Sequence, residues 1–384
     1  MQLEQTKQMT LKEKVETAFQ ARYGEAPSVV VRAPGRVNLL GAYTGYNGGY
    51  VLSFAVDRYT MIALRARDDG QMAIQTLDND EVKFDMEQFE KTDDFSDLIK
   101  GTAWALGSEG FSVRGWEGVI GSDIPAGMDL AAEASVMMAT MRAFAEVSGF
   151  SFAPQPIANT ADKAYTDFVG KRSILPDLYA IGLAQPAQAI LLDTKSLDID
   201  TIDLSREAQV VLLDTGKRQD NHTLEAIITE RAEHHATAAR NYKVGHLRDL
   251  SMTRFDKDSE SLEEIVEKHA RHFLTENGRT ILGGEMMRSG ALATIGKMML
   301  DSHTSLRNEY GVHNDAADQM IACVMEQPNV FGARWTGIGG GVLALIRDFS
   351  ADTASKLALS CYKKATGYES DAIILNSVGS VEQL

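Results

Sequence analysis

Two textures divide this chain, and their segregation restricts the fold more than any single residue does. From Val29 onward short apolar runs recur at 29–34, 48–56, 61–67, 71–77 and 82–86, separated by polar or glycine-bearing turns. That spacing predicts a sheet-rich first hundred residues. One further strand over 116–122 leads through a Pro-Gly turn into an Ala/Met-rich helix that reaches Val147. Residues 222–299 are instead charged and helix-favouring, and a strand–loop–strand follows at 331–348. Strands and helices are grouped, with no regular βα alternation, so the pattern is α+β. Leu11 to Tyr23 carries apolar residues near i, i+4 and i+7 and is predicted to be an amphipathic helix.

At 384 residues with 44% hydrophobic content, the chain exceeds what one small core organises, which predicts two domains. The boundary is expected near 197–207, giving an N-terminal domain over 1–200 and a C-terminal domain over 201–384. Cys323 and Cys361 make neither a metal-ligand spacing nor a disulfide framework, so a reduced, cytoplasmic setting is expected. The stretch Met1 to Lys14 is polar and lacks a signal-like apolar core. No run approaches the ~20 apolar residues of a membrane helix. A net charge of −16 argues against non-specific binding to nucleic acid or anionic membranes. It leaves a local anion site open.

Four segments carry the chemistry. The first is RAPGRVNLLGAYTGYNGGY over 32–50; the second is DIPAGMDLAAEAS over 123–135. The third is FVGKRSILPD over 168–177, and the fourth is GARWTGIGGGV over 332–342. Taken singly, each reads as a glycine turn or a capped helix start. In this order they resemble the galactokinase branch of the GHMP sugar kinases. The first is similar to G-R-x-N-hydrophobic-hydrophobic-G-E-H-x-D-Y-N-G-G. The second resembles the phosphate loop P-x-G-x-G-L-S-S-S-A, and the fourth resembles G-A-R-M-T-G-A-G-F-G-G-C. The resemblance implies a two-domain GHMP-kinase fold with the active-site cleft between the domains. It also implies ATP and Mg²⁺ as cofactors and a small sugar or polyol as substrate.

Carried over by position, the resemblance makes Arg36 the charge-stabilising arginine of phosphoryl transfer and Asp177 the base for the sugar 1-hydroxyl. Tyr43, Gly45, Tyr46 and Asn47 fall on the sugar loop. Gly127, Asp129, Ala131 and Glu133 fall on the phosphate loop, and Gly337 and Gly339 on the loop that closes over it. The departures are equally specific. The family's Glu, His and Asp are Ala42, Tyr43 and Gly45 here, which removes the partners that hold sugar hydroxyls. The second phosphate-loop glycine is Asp129, and the serines are Ala131, Ala132 and Glu133. Asp129 reads as a cap on the following helix that closes the anion site. Glu133 reads, alternatively, as a direct Mg²⁺ ligand. A galactokinase-like protein with weak or lost kinase activity and a binding or regulatory role is expected. The competing expectations are an active kinase for galactose or another sugar or polyol, with Tyr43 stacked on the ring, and a structural relic.

Overall fold

The computed structural model describes residues 9–151, 153–218, 221–337 and 339–384, with 221–224 described by backbone alone. The polar stretch at the start of the chain therefore lies largely outside the described residues. Helix α1 (Leu11–Tyr23) opens on a capping box, in which Thr10 and Glu13 satisfy each other's backbone N–H groups, and stops at Gly24. Strands β1 (Val29–Leu40) and β2 (Tyr50–Ala66) form a long antiparallel pair. The sequence predicts two strands where β2 runs unbroken. Asp57, Arg58 and Tyr59 cross the predicted break because β1 carries a register shift opposite them, at Pro34/Gly35. A side chain at Gly35 would place its Cβ 2.7 Å from the Leu130 carbonyl oxygen, so glycine is required at that approach.

Next come β3 (Gln71–Thr76), β4 (Glu81–Asp85), α2 (Ser96–Ser108), β5 (Trp116–Ser122) and α3 (Ala132–Ser148). They are followed by α4 (Pro154–Lys163), α5 (Leu175–Gly182), β6 (Gln188–Asp193) and β7 (Ile199–Asp203). The first sheet runs β4–β3–β5–β2–β1, with β6 on the far half of β2 and β7 beyond it. Among the described residues only β3 and β5 pair in parallel. Helix α3 buries Met137, Met138, Met141 and Phe144 against this sheet, and Trp116 packs edge-on to Phe144 at 5.8 Å.

The second half begins with β8 (Ala208–Asp214), α6 (Asn221–Asn241), α7 (Met252–Asp258), α8 (Glu264–Arg288) and α9 (Leu292–Ser305). It continues through α10 (Asp315–Met325), β9 (Val330–Trp335), β10 (Gly341–Arg347), α11 (Ala351–Thr366) and β11 (Ala372–Leu375). Its antiparallel sheet is ordered β11–β8–β10–β9. The chain ends in β12 (Glu382–Gln383), which returns to pair with β1 of the first sheet. The strand change from β7 to β8 falls at 203–208, beside the predicted boundary. Among the described residues no helix is long and apolar enough to cross a membrane.

One sequence expectation is overturned here. Cys323 on α10 and Cys361 on α11 are joined in a disulfide, although nothing in their spacing suggests a pair. The two helices lie side by side in one apolar cluster with Tyr362 and Val324, so packing brings the thiols together across 38 residues. Reduction, or Cys361→Ser, is expected to lower stability by about 2–4 kcal/mol, chiefly by releasing the unfolded chain. Melting curves with and without dithiothreitol test it; coincident curves would rule the clamp out.

Candidate active site

Arg36 lies on β1 where the strand passes between the 123–131 loop and α5, and three elements converge on its guanidinium. Its Nε donates to Asp177 Oδ1 at 2.8 Å. Its Nη1 donates to the Asp129 carbonyl at 2.6 Å and to Asp129 Oδ1 at 3.1 Å, and Nη2 donates to the same carboxylate oxygen at 3.1 Å. A guanidinium has five N–H donors, and these contacts leave one uncommitted. Burial alone would lower the pKa of Arg36, but the charges of Asp129 and Asp177 outweigh it and push it up. Asp129 is pushed above the usual carboxylate range by burial, with Arg36 opposing and Asp177 adding to the rise.

The predicted helix cap is not formed. The residue at the N-cap of α3 is Ala131, which makes no side-chain cap and has φ of 57°. Asp129 itself has φ of 60°, a left-handed conformation that a non-glycine residue adopts at a cost of about 1 kcal/mol. Its carboxylate turns back to Arg36 rather than forward to the helix. Cap chemistry is a local rule, and a buried arginine offering paired donors outcompetes it.

Gly339, Gly340 and Gly341, from the second half of the chain, lie against the 123–131 loop. Gly340 N–H donates to the Gly127 carbonyl at 2.9 Å, and a Cβ on Gly339 would lie 1.9 Å from that same oxygen. Asn314 Nδ2 and Trp335 Nε1 each donate to the Gly339 carbonyl at 3.1 Å. On the outer side Arg218 donates to the Ala126 carbonyl, and its side chain occupies the space beside Gly127. Asp214 holds Arg218 there through two hydrogen bonds of 2.6 and 2.8 Å.

Glu133 stands on the first turn of α3, accepting from Lys171 Nζ at 2.7 Å and from the Tyr165 hydroxyl. Each carboxylate oxygen thus already accepts one hydrogen bond, and a metal there would lie beside the Lys171 ammonium. Among the described residues no group of three His, Cys, Asp or Glu side chains is arranged to hold one.

The sugar loop is packed as an aromatic wall. Tyr43, at φ of 57°, donates its hydroxyl to the Gly337 carbonyl and stacks on Tyr310 with centroids 4.7 Å apart. The Tyr310 and Tyr46 hydroxyls meet at 3.1 Å, and Arg172 lies over the Tyr46 ring. Burial pushes the Tyr46 hydroxyl up to about 12 and Tyr43 higher still. Asn47 Nδ2 donates to Nδ1 of His235, whose Nε2–H donates to the His269 carbonyl, so His235 is a neutral imidazole held down to about 3 by burial. At Gly45 an added Cβ would come 3.1 Å from Val51 Cγ2 and 3.4 Å from Pro176 Cγ. Pro176, immediately before the arginine's partner Asp177, thus helps fill the space that a side chain at position 45 would need.

Of the residues the sequence singled out, the structure brings Arg36, Asp177 and Asp129 together and sets Gly339 against Gly127, with Gly337 accepting from Tyr43. Sequence reasoning missed Tyr310, Arg218 and Glu276. Glu276 on α8 accepts from the backbone N–H groups of Gly41 and Ala42 at 2.9 and 3.1 Å and thereby fixes the start of the sugar loop. No local signal marks it, because a lone acid in a charged helix reads as a solvated face.

The galactokinase galactose-binding signature matches residues 17–66, and the GHMP kinase C-terminal model matches residues 285–363. The chain is 31% identical over 362 residues to a galactokinase of Roseiflexus sp., covering 91% of both chains. It is 29% identical over 375 residues to a galactokinase of Chloroflexus aurantiacus, covering 95% of both. The crystal structure of Lactococcus lactis galactokinase complexed with galactose shares the fold, with a TM-score of 0.89 at 24% identity over 96% of this chain and 98% of that one.

Proposed function

The chain belongs to the galactokinase family, and from that premise we propose that it recognises a small sugar or polyol without transferring phosphate to it from ATP. One observation carries the reading: four of the five N–H donors of Arg36 are spent on Asp129 and Asp177. In a phosphoryl-transfer site such an arginine serves the charge that spreads over the transferred group. Here the Asp129 carboxylate takes that service, a fixed anion where a mobile one would be handled.

The residues present do not fit a nucleotide and its metal. A phosphate entering beside Arg36 must displace a buried carboxylate or lie against it, and like charges in a partly buried place repel strongly. The Gly127 turn, which would present backbone donors to an anion, is roofed by Gly339 and Gly340 and flanked by Arg218. Glu133 is committed to Lys171 and Tyr165. No phosphoryl-transfer step is therefore assigned.

For the sugar, Tyr43, Tyr46 and Asn47 stand on the loop that answers to the galactose-binding signature, although Tyr43 lies on Tyr310 and Asn47 on His235. An aromatic wall suits the apolar face of a carbohydrate ring. Gly45 and Ala42 offer no polar side chain, and galactose held through carboxylates at those positions is disfavoured. A binding or regulatory role follows.

The test is thermal unfolding with Mg²⁺–ATP and, separately, with a panel of sugars and polyols. A ligand at 100 times its dissociation constant stabilises the fold by about 2.7 kcal/mol. No ATP shift and a shift with one carbohydrate are expected. Asp129→Gly, which suits the left-handed backbone and frees the two Arg36 contacts to the carboxylate, is expected to tighten Mg²⁺–ATP binding by roughly tenfold or more. A clear ATP shift in the unaltered protein, with sugar-dependent ADP release, would sink the proposal.

A further inference from the structure

Away from the cleft, a cavity of about 380 Å³ opens between the two sheets. Leu39 and Phe54 of β1 and β2 form one wall, Val210 and Leu345 of β8 and β10 the other, and Leu292 and Ile295 of α9 the floor. All six are buried apolar side chains. Interiors close-pack with few voids larger than a water molecule, whereas small-molecule sites run to about 300–1,000 Å³ and are mostly apolar with a few placed polar groups. This space has the size and lining of the second kind.

Its mouth carries one charge of each sign, Asp348 and Arg206. Asn376 is engaged with Asp57 through both backbone and side-chain amide, and Gln209 donates to Asp348 at 2.7 Å. Arg206 lines the same mouth, is exposed, and makes no hydrogen bond or ion pair with any described residue. An arginine left without a partner beside a largely apolar chamber presents a fork of donors to a carboxylate.

We propose that this interdomain cavity is a binding site for a medium-chain amphiphilic carboxylate, its alkyl chain between the sheets and its head on Arg206. Because Leu39 is on the same strand as Arg36 and the opposite wall belongs to the second domain, an occupant touches both halves of the molecule behind the cleft.

The experiment titrates the full chain with decanoate, decanol and decylamine, read by calorimetry and by melting temperature. Decanoate is expected to bind saturably at one site and raise the melting temperature, with decanol at least tenfold weaker and decylamine weaker still. Arg206→Gln, at an exposed position, should fold normally and weaken decanoate on the order of tenfold, leaving decanol unchanged. Ile295→Trp, which fills the chamber, should abolish binding of both. Should that variant fail to fold, Arg206→Gln still decides. Equal binding of decanoate and decanol, indifference to Arg206→Gln, preference for decylamine, or absence of saturable binding would each overturn the proposal.

Discussion

Replacing Arg36 with alanine is expected to destabilise the protein by about 3–5 kcal/mol at neutral pH, measured by urea unfolding. The loss comes from what remains rather than from what is removed. Asp129 and Asp177 would face each other without the cation that now bonds both, and an uncompensated buried charge is among the costliest defects a fold can carry. The pH dependence gives the mechanism away. The folded-state pKa of Asp129 lies above its ordinary 3.8, so its contribution to stability is fully present below that value and is lost as pH rises through the folded pKa. Without Arg36, which now opposes the rise, the folded pKa climbs further and the loss deepens at neutral pH. The gap between variant and parent should therefore narrow on acidification toward pH about 4. Adding Asp129→Asn, which tolerates the same backbone, should recover part of the deficit at pH 7. A pH-independent deficit, or double-mutant effects that simply add, would mean that Arg36 acts only through packing.

The Glu276→Ala variant should lose a similar amount, about 3–5 kcal/mol, for a different reason. The Glu276 carboxylate is fully buried and gathers the N–H groups of Gly41 and Ala42, the Ser302 hydroxyl at 2.8 Å and the Arg279 guanidinium. Alanine would orphan all of these donors at once. Burial raises the Glu276 pKa, yet the positive charges of Arg279 and Arg334 and its donors hold it below the usual range. A depressed folded pKa contributes stability that is present above the ordinary value, 4.5 here, and is lost as pH falls through the folded pKa. The parent should thus lose stability below pH about 4.5 where the variant has nothing comparable to lose. Glu276→Gln keeps an acceptor for the backbone donors and should cost roughly half as much. Hydrogen exchange at Gly41 and Ala42 provides the local readout: it should accelerate in the alanine variant and stay slow in the glutamine one. Unchanged exchange in both would remove Glu276 from the support of the sugar loop.

Both predictions bear on how the site was legible. Arg36 and Asp177 could be expected near one another only through resemblance, because RAPGRVNLLG and FVGKRSILPD each resemble a galactokinase segment; in the structure the two side chains meet at 2.8 Å. Asp129 could be seen as an intruder, but its partner could not. The cap reading used the nearest donors along the chain, whereas the carboxylate found a guanidinium 93 residues away. Tyr43 was expected, in the active-kinase reading, to stack on a sugar ring, yet its ring lies on Tyr310, as an aromatic face buries itself against a neighbouring one. The approach of Pro176 to Gly45 illustrates the same limit, since nothing in either segment foretells that the two meet.

What the sequence by itself determined is the scaffold: strands with β-branched runs, helices with apolar spacing, and glycines where backbones must turn or meet. These follow from local sterics and periodicity, which act over a few residues and can be read in one dimension. What only the tertiary structure decided is partnership. It joined Cys323 to Cys361, turned Asp129 to Arg36, spent Glu133 on Lys171 and Tyr165, and left Arg206 at the mouth of a cavity. Hydrogen bonds and ion pairs reach only a few ångströms but are indifferent to separation along the chain, so each charged group takes whichever partner packing brings to it.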